Sequence, residues 1–236
     1  MCGTSITVNR SSKKILFVLT SHNDLGGVRP TGFFVGEAVH PWLVFKDAGF
    51  TVDLASVKGG QPPQDGRDEN DPDQQAFFND PHIAEQLENT PKASEVDASE
   101  YDAVFFVGGH GTMWDFPNDD GVARIGRDVY ENDGVVAAVC HGPSALVNMT
   151  LSDGAALVAG KKVAGFTNDE EIAVELHNVV PFSLADTLEA RGATHIPGPN
   201  FTEQVIVDGR LVTGQNPQSA AGVARETIEV LASLQK

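Results

Sequence analysis

Cysteine is scarce: the chain of 236 residues has two, Cys2 and Cys140. Two cysteines cannot form the disulfide framework of a small secreted domain, so a reduced, cytoplasmic protein is the expectation. Positive charge is scarce too, with 16 Lys and Arg against 33 Asp and Glu and a net charge of −17. A surface of that sign repels phosphate backbones and anionic headgroups, so neither nucleic acid nor membrane is an expected partner. No run approaches the ~18 uninterrupted apolar residues of a membrane span. The opening MCGTSITVNRSSKK has no apolar core before a cleavage site. It reads as a frayed tail over 1–13 rather than as a signal peptide. Against these absences stands a hydrophobic content of 41%, ordinary for a globular protein and too high for a disordered one. No repeat and no dividing linker is visible, so 14–236 reads as one domain.

Short apolar runs alternate with amphipathic ones. Residues 15–20 (ILFVLT), 52–56 (VDLAS), 101–107 (YDAVFFV) and 134–139 (GVVAAV) read as strands. Helices are expected over 32–47, bent at Pro41, over 119–130, around 169–176, over 183–191 and from 217 to 234. A short strand is expected at 162–164, and a strand pair, 204–207 and 211–213, straddles the turn Asp208-Gly209. Apolar strands separated by helix-length segments argue for an α/β sandwich, a mainly parallel sheet with helices on both faces. Sites in such sheets form at the carboxyl ends of the strands, here just after Val107 and Val139. Residues 59–99 interrupt the alternation. They open with GGQPPQDGRDENDPDQQ and carry a helical patch around 77–87. This acidic insertion reads as a solvated surface segment, with a lid over the site as the sharper option.

The informative segment is 135–146, VVAAVCHGPSAL. A strand running into a nucleophile, then a sharp turn and a helix, with small residues two before and two after, is a nucleophile elbow. Here the small residues are Ala138 and Gly142. A lone cysteine most often packs as a small hydrophobe. The strand, the two small residues and the adjacent His141 turn the reading toward function. A helix N-terminus after Cys140 would favour its thiolate, and His141 could act as base or acid.

An oxyanion hole needs two backbone donors aimed at one point. Gly108-Gly109-His110-Gly111, after the preceding strand, lets the main chain approach a ligand, and the nominated donors are the N–H groups of Gly109 and His141. His110 is placed to touch substrate. Trp114 and Phe116 either wall the pocket or pack in the core. Glu37, in GFFVGEA, is an acid among apolar neighbours, which tends to stay protonated or to pair and can shuttle a proton. His22, His40 and His82 share no metal-ligand spacing, so no metal is expected.

Together VVAAVCHGPSAL, FFVGGHGTMWDFP, TGFFVGEAVHPW and LVTGQNPQSA resemble the ThiJ/PfpI (DJ-one) superfamily, and within it the heat-shock-chaperone-like branch with glyoxalase III activity. Residues 59–80 match least. The resemblance implies a flavodoxin-like sandwich, a homodimer and no cofactor: no glutathione, metal or nucleotide. Cys140 matches the branch's nucleophile and His141 its partner, while Glu37 matches the acid that handles protons beside the sulfur. Glu171 matches the acid of a GFT-x-x-x-E segment that orients the histidine, with Glu170 and Asp169 beside it as alternatives. The implied reaction converts methylglyoxal, a small 2-oxoaldehyde, to D-lactate through a Cys140 hemithioacetal. In LVTGQNPQSA, Asn216 reads as a helix N-cap before Pro217.

Rival readings leave different traces. A class I glutamine amidotransferase pairs its elbow cysteine with a downstream H-x-E, and His177 and His195 are followed by Asn178-Val179 and Ile196-Pro197 instead. A cysteine peptidase would need a peptide groove. A redox sensor or holdase chaperone would use an oxidisable Cys140 or an apolar surface without turnover.

Overall fold

The computed structural model describes residues 13–235. The expected tail and Cys2 lie outside the described residues, apart from Lys13. The chain opens with β1 (Lys14–Leu19), buried at every residue after Lys14. Next come the two-residue β2 (Phe33–Phe34), α1 (Val35–Asp47) and β3 (Thr51–Ser56). α1 starts three residues later than expected and runs through Pro41. A proline there leaves the carbonyl of Glu37, four residues back, without its helical donor.

Residues 59–99 form β4 (Gln64–Asp65), α2 (Pro72–Asn79), α3 (Pro81–Glu88) and two short 3-10 turns. The single helical patch expected around 77–87 is two helices. Asp80 ends the first and caps the second, its Oδ1 accepting the His82 and Ile83 N–H groups at 3.1 Å. Pro81 at the first helical position cannot donate to the preceding turn, which breaks the helix there. Phe77, Ile83 and Leu87 are buried, and Phe77 meets Trp42 of α1 edge to face. These helices therefore pack on α1 and β3. β4 pairs with β2, directly before the helix that carries Glu37.

β5 (Ala103–Phe106), α4 (Thr112–Asp115), α5 (Asp120–Glu131) and β6 (Val135–Val139) follow. Asp119 caps α5 by accepting the Val122 N–H at 2.9 Å. The buried stripe of α5 is Val122, Ile125 and Val129, each contributing about 1.5–3 kcal/mol of burial. Then come β7 (Lys162–Val163), α6 (Asn168–Ala173), α7 (Leu184–Ala190), β8 (Thr194–His195), β9 (Val205–Asp208), β10 (Leu211–Gly214) and α8 (Ala220–Ser233). The strand expected at 162–164 is β7, which pairs with β8 in a sheet of its own. α8 is preceded by a 3-10 turn, Pro217–Ser219.

The main sheet has the order β3-β1-β5-β6-β10-β9. All its pairs are parallel except β10–β9, the hairpin around Asp208-Gly209. β5 and β6 are buried at every residue, which requires cover on both faces. Large and small side chains interleave across the register, Phe105 opposite Ala137 and Phe106 opposite Ala138. This is the flavodoxin-like α/β sandwich. Its carboxyl edge presents Gly108 after β5, Cys140 after β6 and Gln215 after β10. No described helix is long and apolar enough to cross a membrane.

Candidate active site

Cys140 sits at φ +61°, a left-handed conformation that costs a non-glycine residue roughly 1–3 kcal/mol and persists only where surroundings impose it. The imposing contacts are visible. The Cys140 N–H donates to the Gly214 carbonyl at 3.0 Å, and the Cys140 carbonyl accepts from the Phe166 N–H at 2.9 Å. A Cβ on Gly142 would fall 2.2 Å from the Phe106 carbonyl oxygen, so only glycine fits there. The elbow is thus as tight as its sequence suggests. The helix expected behind it is a five-residue 3-10 turn, Gly142–Leu146, because Pro143 and the packed Ala145 and Leu146 follow at once.

That difference changes the electrostatics. Burial pushes the Cys140 thiol well above its usual range, and the neighbouring acids Glu37, Glu171 and Glu170 push the same way when ionised. The His141 N–H, donating to the sulfur, opposes them without prevailing. Burial thus favours the thiol over the thiolate that the elbow sequence leads one to expect. The nominated His141 oxyanion donor is directed at the sulfur itself.

Glu37 lies in the first turn of α1 and is 1% exposed. Its Oε1 is buried with no hydrogen-bond partner among the described residues. Burial raises its pKa well above 4.5; a hydrogen bond with Cys140 lowers it and the charge of Asp65 adds to the rise. Burial therefore favours the protonated carboxyl of Glu37. Gly108 makes the approach feasible. A Cβ there would meet Glu37 Oε1 at 2.2 Å and Cys140 Cβ at 3.0 Å. Gly109, at φ +123°, leaves equally little room: its Cβ would fall 2.3 Å from the Gly32 carbonyl oxygen.

On the other side of the sulfur, His141 Nδ1 is 3.4 Å from Cys140 Sγ and His141 Nε2 is 2.7 Å from Glu171 Oε2. His110 Nε2 meets the other oxygen of Glu171, Oε1, at 2.7 Å. Burial pushes Glu171 up, but the charge of His141 and the hydrogen bonds of both imidazoles outweigh it, leaving the pKa at about 2. An ionised carboxylate only accepts, so both Nε2 atoms carry hydrogen. His141 Nδ1 is left facing the thiol. Burial, helped by His141, lowers His110 to about 4 against the pull of Glu171, so His110 is neutral near pH 7.

The three alternatives for the orienting acid separate cleanly. Asp169 is exposed. Glu170 closes a capping box with Thr167 and accepts from the Phe201 N–H and Asn216 Nδ2. Glu171 alone reaches His141. Asn216 is not a side-chain N-cap: its Nδ2 serves Glu170 and the Thr202 carbonyl, so it braces a loop instead.

His110 touches Glu171 and lies 4.0 Å from the His141 ring at a tilt of 41°, a second imidazole on the same carboxylate, a pairing that sequence reasoning missed. The GGHG and GFT-x-x-x-E spacings each carried one half of it, and only the fold joins them. Thr112 was also missed. Its hydroxyl is 2.9 Å from both the Gly109 and His141 carbonyls, tying the glycine loop to the elbow. Trp114 stacks on His22 and lines a cavity of about 380 Å³ with Met113, Pro117, Val147 and Phe182. Phe116 packs in the core against Phe106. Ligand atoms of His110, His141 and Glu171 lie within 4.8 Å of one another, close enough for a cation, but they are spent on hydrogen bonds to each other.

A buried nucleophile at a strained elbow, an unpaired acid on one side and a carboxylate-held histidine on the other define a thiol-dependent enzyme site. The chain belongs to the DJ-1/PfpI family, whose model matches residues 28–230. It is 37% identical to Glyoxalase 3 of Candida albicans over 91% of this chain and 97% of that protein. It is 36% identical to the glutathione-independent glyoxalase HSP31 of Saccharomyces cerevisiae over 93% and 98%. Among solved structures, glyoxalase III from Candida albicans superposes with a TM-score of 0.85 at 36% identity, covering 92% of this chain and 96% of that one. Rapid Encystment Protein 24 KDa of Francisella tularensis gives 0.88 at 37%, covering 92% and 98%. The glyoxalases among these relatives support reading the chain as an enzyme.

Proposed function

We propose that the protein is a glutathione-independent glyoxalase of the lyase type that converts methylglyoxal, or a related small 2-oxoaldehyde, and water to D-lactate. The observation that carries the reading is the buried Glu37 acid beside the Cys140 thiol, backed by His141 Nδ1 at 3.4 Å from the sulfur. His141 takes the thiol proton as sulfur bonds to the aldehyde carbon. Glu37 gives its proton to the carbonyl oxygen, so the hemithioacetal forms without a lasting charge. Glu37, now a carboxylate, removes the hydrogen on the first carbon as a proton. The electron pair of that bond moves toward the second carbon, whose carbonyl is reduced to an alcohol as the first becomes a thioester. Glu37 returns that proton to the second carbon, His141 gives the thiol's proton to the second carbon's oxygen, and the first carbon's hydroxyl gives its proton to Glu37 as it becomes the thioester carbonyl. Water then cleaves the thioester, giving lactate and restoring the thiol. The Gly109 N–H is the oxyanion donor in this scheme, and Glu171, held also by His110, keeps His141 in the required tautomer. No cofactor enters.

The raised thiol weighs against a redox sensor, because the thiolate is the form that oxidises. A single domain over 14–236, a cytoplasmic location and a homodimer belong to the same proposal. The test is to mix the pure protein with methylglyoxal, without glutathione, and assay D-lactate. Product that disappears in Cys140→Ala and Glu37→Gln supports the reading; no product from methylglyoxal or glyoxal overturns it.

A further inference from the structure

Phe201 combines features that do not usually occur together. It is a large apolar residue 38% exposed to solvent, and its backbone lies at φ +53°. For a bulky residue that conformation is an outlier that the surroundings must enforce. The enforcing group is Glu170, which is fully buried. Its Oε1 accepts from the Thr167 N–H at 3.1 Å and the Thr167 hydroxyl at 2.9 Å. Its Oε2 accepts from the Phe201 N–H at 2.9 Å and Asn216 Nδ2 at 3.0 Å. A buried carboxylate is tolerable when its lone pairs are satisfied, and here four donors do so. Asn216 Nδ2 also reaches the Thr202 carbonyl at 2.7 Å. Gln215 holds the same loop farther back, accepting from the Gly198 N–H at 2.7 Å. The loop between β8 and β9 is thus braced at two places from the carboxyl end of β10.

The brace aims the Phe201 ring toward the site. It lies 6.1 Å from the ring of Phe166 at an interplanar angle of 62°. The Phe166 ring lies 4.4 Å from the His141 imidazole, and its N–H holds the Cys140 carbonyl. Phe201 is the outermost member of a row of rings that ends on the general base. The Thr167–Glu170 pair that caps α6 also sets the first turn of that helix, which carries Glu171.

We infer that Phe201 walls the substrate mouth and limits the bulk of the group borne by the carbonyl compound on the side away from the sulfur, with Glu170 as its positioning residue. The inference deepens the glyoxalase reading and rests on it for the nature of the substrate. In it the adjacent acids divide the work: Glu171 orients the histidine, and Glu170 holds the aromatic wall.

The experiment compares a small and a bulky thiol reagent, iodoacetamide and N-phenylmaleimide, on Cys140 in a Cys2→Ser chain. Phe201→Ala is expected to raise the rate with the maleimide roughly tenfold relative to iodoacetamide, the size of effect one apolar contact gives in discrimination. Phe201→Leu is expected to lie between. Glu170→Gln is expected to move the ratio the same way by less, because an amide offers one acceptor oxygen where the carboxylate offers two. A merely structural role would change both rates together, and an unchanged ratio in Phe201→Ala overturns the inference. That variant removes no hydrogen bond, so it decides even where Glu170→Gln fails to fold. With aldehydes, the kcat/KM ratio of phenylglyoxal to methylglyoxal should rise in Phe201→Ala. If neither aldehyde is turned over, the glyoxalase reading fails, and the reagent ratio still decides the wall.

Discussion

Glu37 and Glu171 are both buried glutamates within reach of the Cys140–His141 pair, yet their surroundings drive them apart. Glu37 has an oxygen without a partner and is held in the protonated form. Glu171 has an imidazole on each oxygen and is held ionised, at about 2. Burial raises both, Glu37 being the more deeply buried, and only Glu171 has partners that outweigh it. The unpaired acid has a proton to give at neutral pH, and the paired one is a fixed charge that sets a tautomer. A site with two identical side chains thereby acquires two roles, which is how environment separates acid from orienting group.

The largest effect that breaks this comparison should come from Glu37→Gln. Turnover of methylglyoxal is expected to fall on the order of 10³-fold, the range for a lost general acid–base group. The melting temperature should scarcely move, because no strong hydrogen bond is lost. Glu171→Gln should do the reverse in balance. The amide cannot accept from both histidines, so stability should fall by about 1–3 kcal/mol, with turnover lower by roughly 10²-fold. Paired kinetics and denaturant melts check both. Equal stability losses in the two variants would mean that the two acids are bound alike.

Gly108→Ala sharpens the comparison from the Glu37 side without touching an ionisable group. Its Cβ would occupy the place of Glu37 Oε1, at 2.2 Å, and the carboxyl would have to turn away from the sulfur. Turnover is expected to drop about 10²-fold, since a displacement of an ångström in a reacting group costs that much. Isothermal titration of Cys140 with iodoacetamide should show a thiol still present and folded. Unaltered turnover would mean that Glu37 does not need its present position.

Much of this geometry was legible in the chain. The strand run 135–139, the small residues Ala138 and Gly142 and the adjacent His141 carry the elbow locally, so the sequence states it. Glu37 stood out because its neighbours are apolar. The state of the thiol was not legible, because it depends on how many turns follow Cys140 and on acids from α1 and α6. Asp169, Glu170 and Glu171 could not be separated by spacing alone. Which of them faces His141 depends on the capping box at Thr167, which rotates the first turn of α6. Asn216 read as a cap because Pro217 follows, but a buried carboxylate from another element claimed its amide. The break at Asp80–Pro81 was legible in principle: an Asx-Pro pair inside a helical pattern caps a new helix.

The narrowest expected effect, confined to acid pH, concerns His110, the second imidazole on Glu171. Burial, with His141, lowers its pKa from 6.5 to about 4. In the unfolded chain it takes up a proton as pH falls through about 6.5, while in the folded chain it stays neutral until about pH 4. The unfolded state therefore binds more protons across that window, and stability falls with falling pH. Fully developed, the loss is of the order of 3 kcal/mol, at 1.36 kcal/mol per unit of pKa. His110→Gln keeps a donor for Glu171 and has nothing to titrate. Melts of the two proteins should converge toward acid, with the native chain losing more stability between pH 6.5 and 4 than the variant. Other groups titrate in the same range, Asp115 among them, raised by burial to about 6, but they are common to both proteins and cancel in the difference. Parallel curves would show that folding leaves the His110 pKa unchanged, so that it is protonated in the folded protein over the same acid window as in the unfolded chain. The carboxylate of Glu171 would then hold a cation on one oxygen, and the contrast with Glu37 would be one of charge neutralisation rather than of tautomer control.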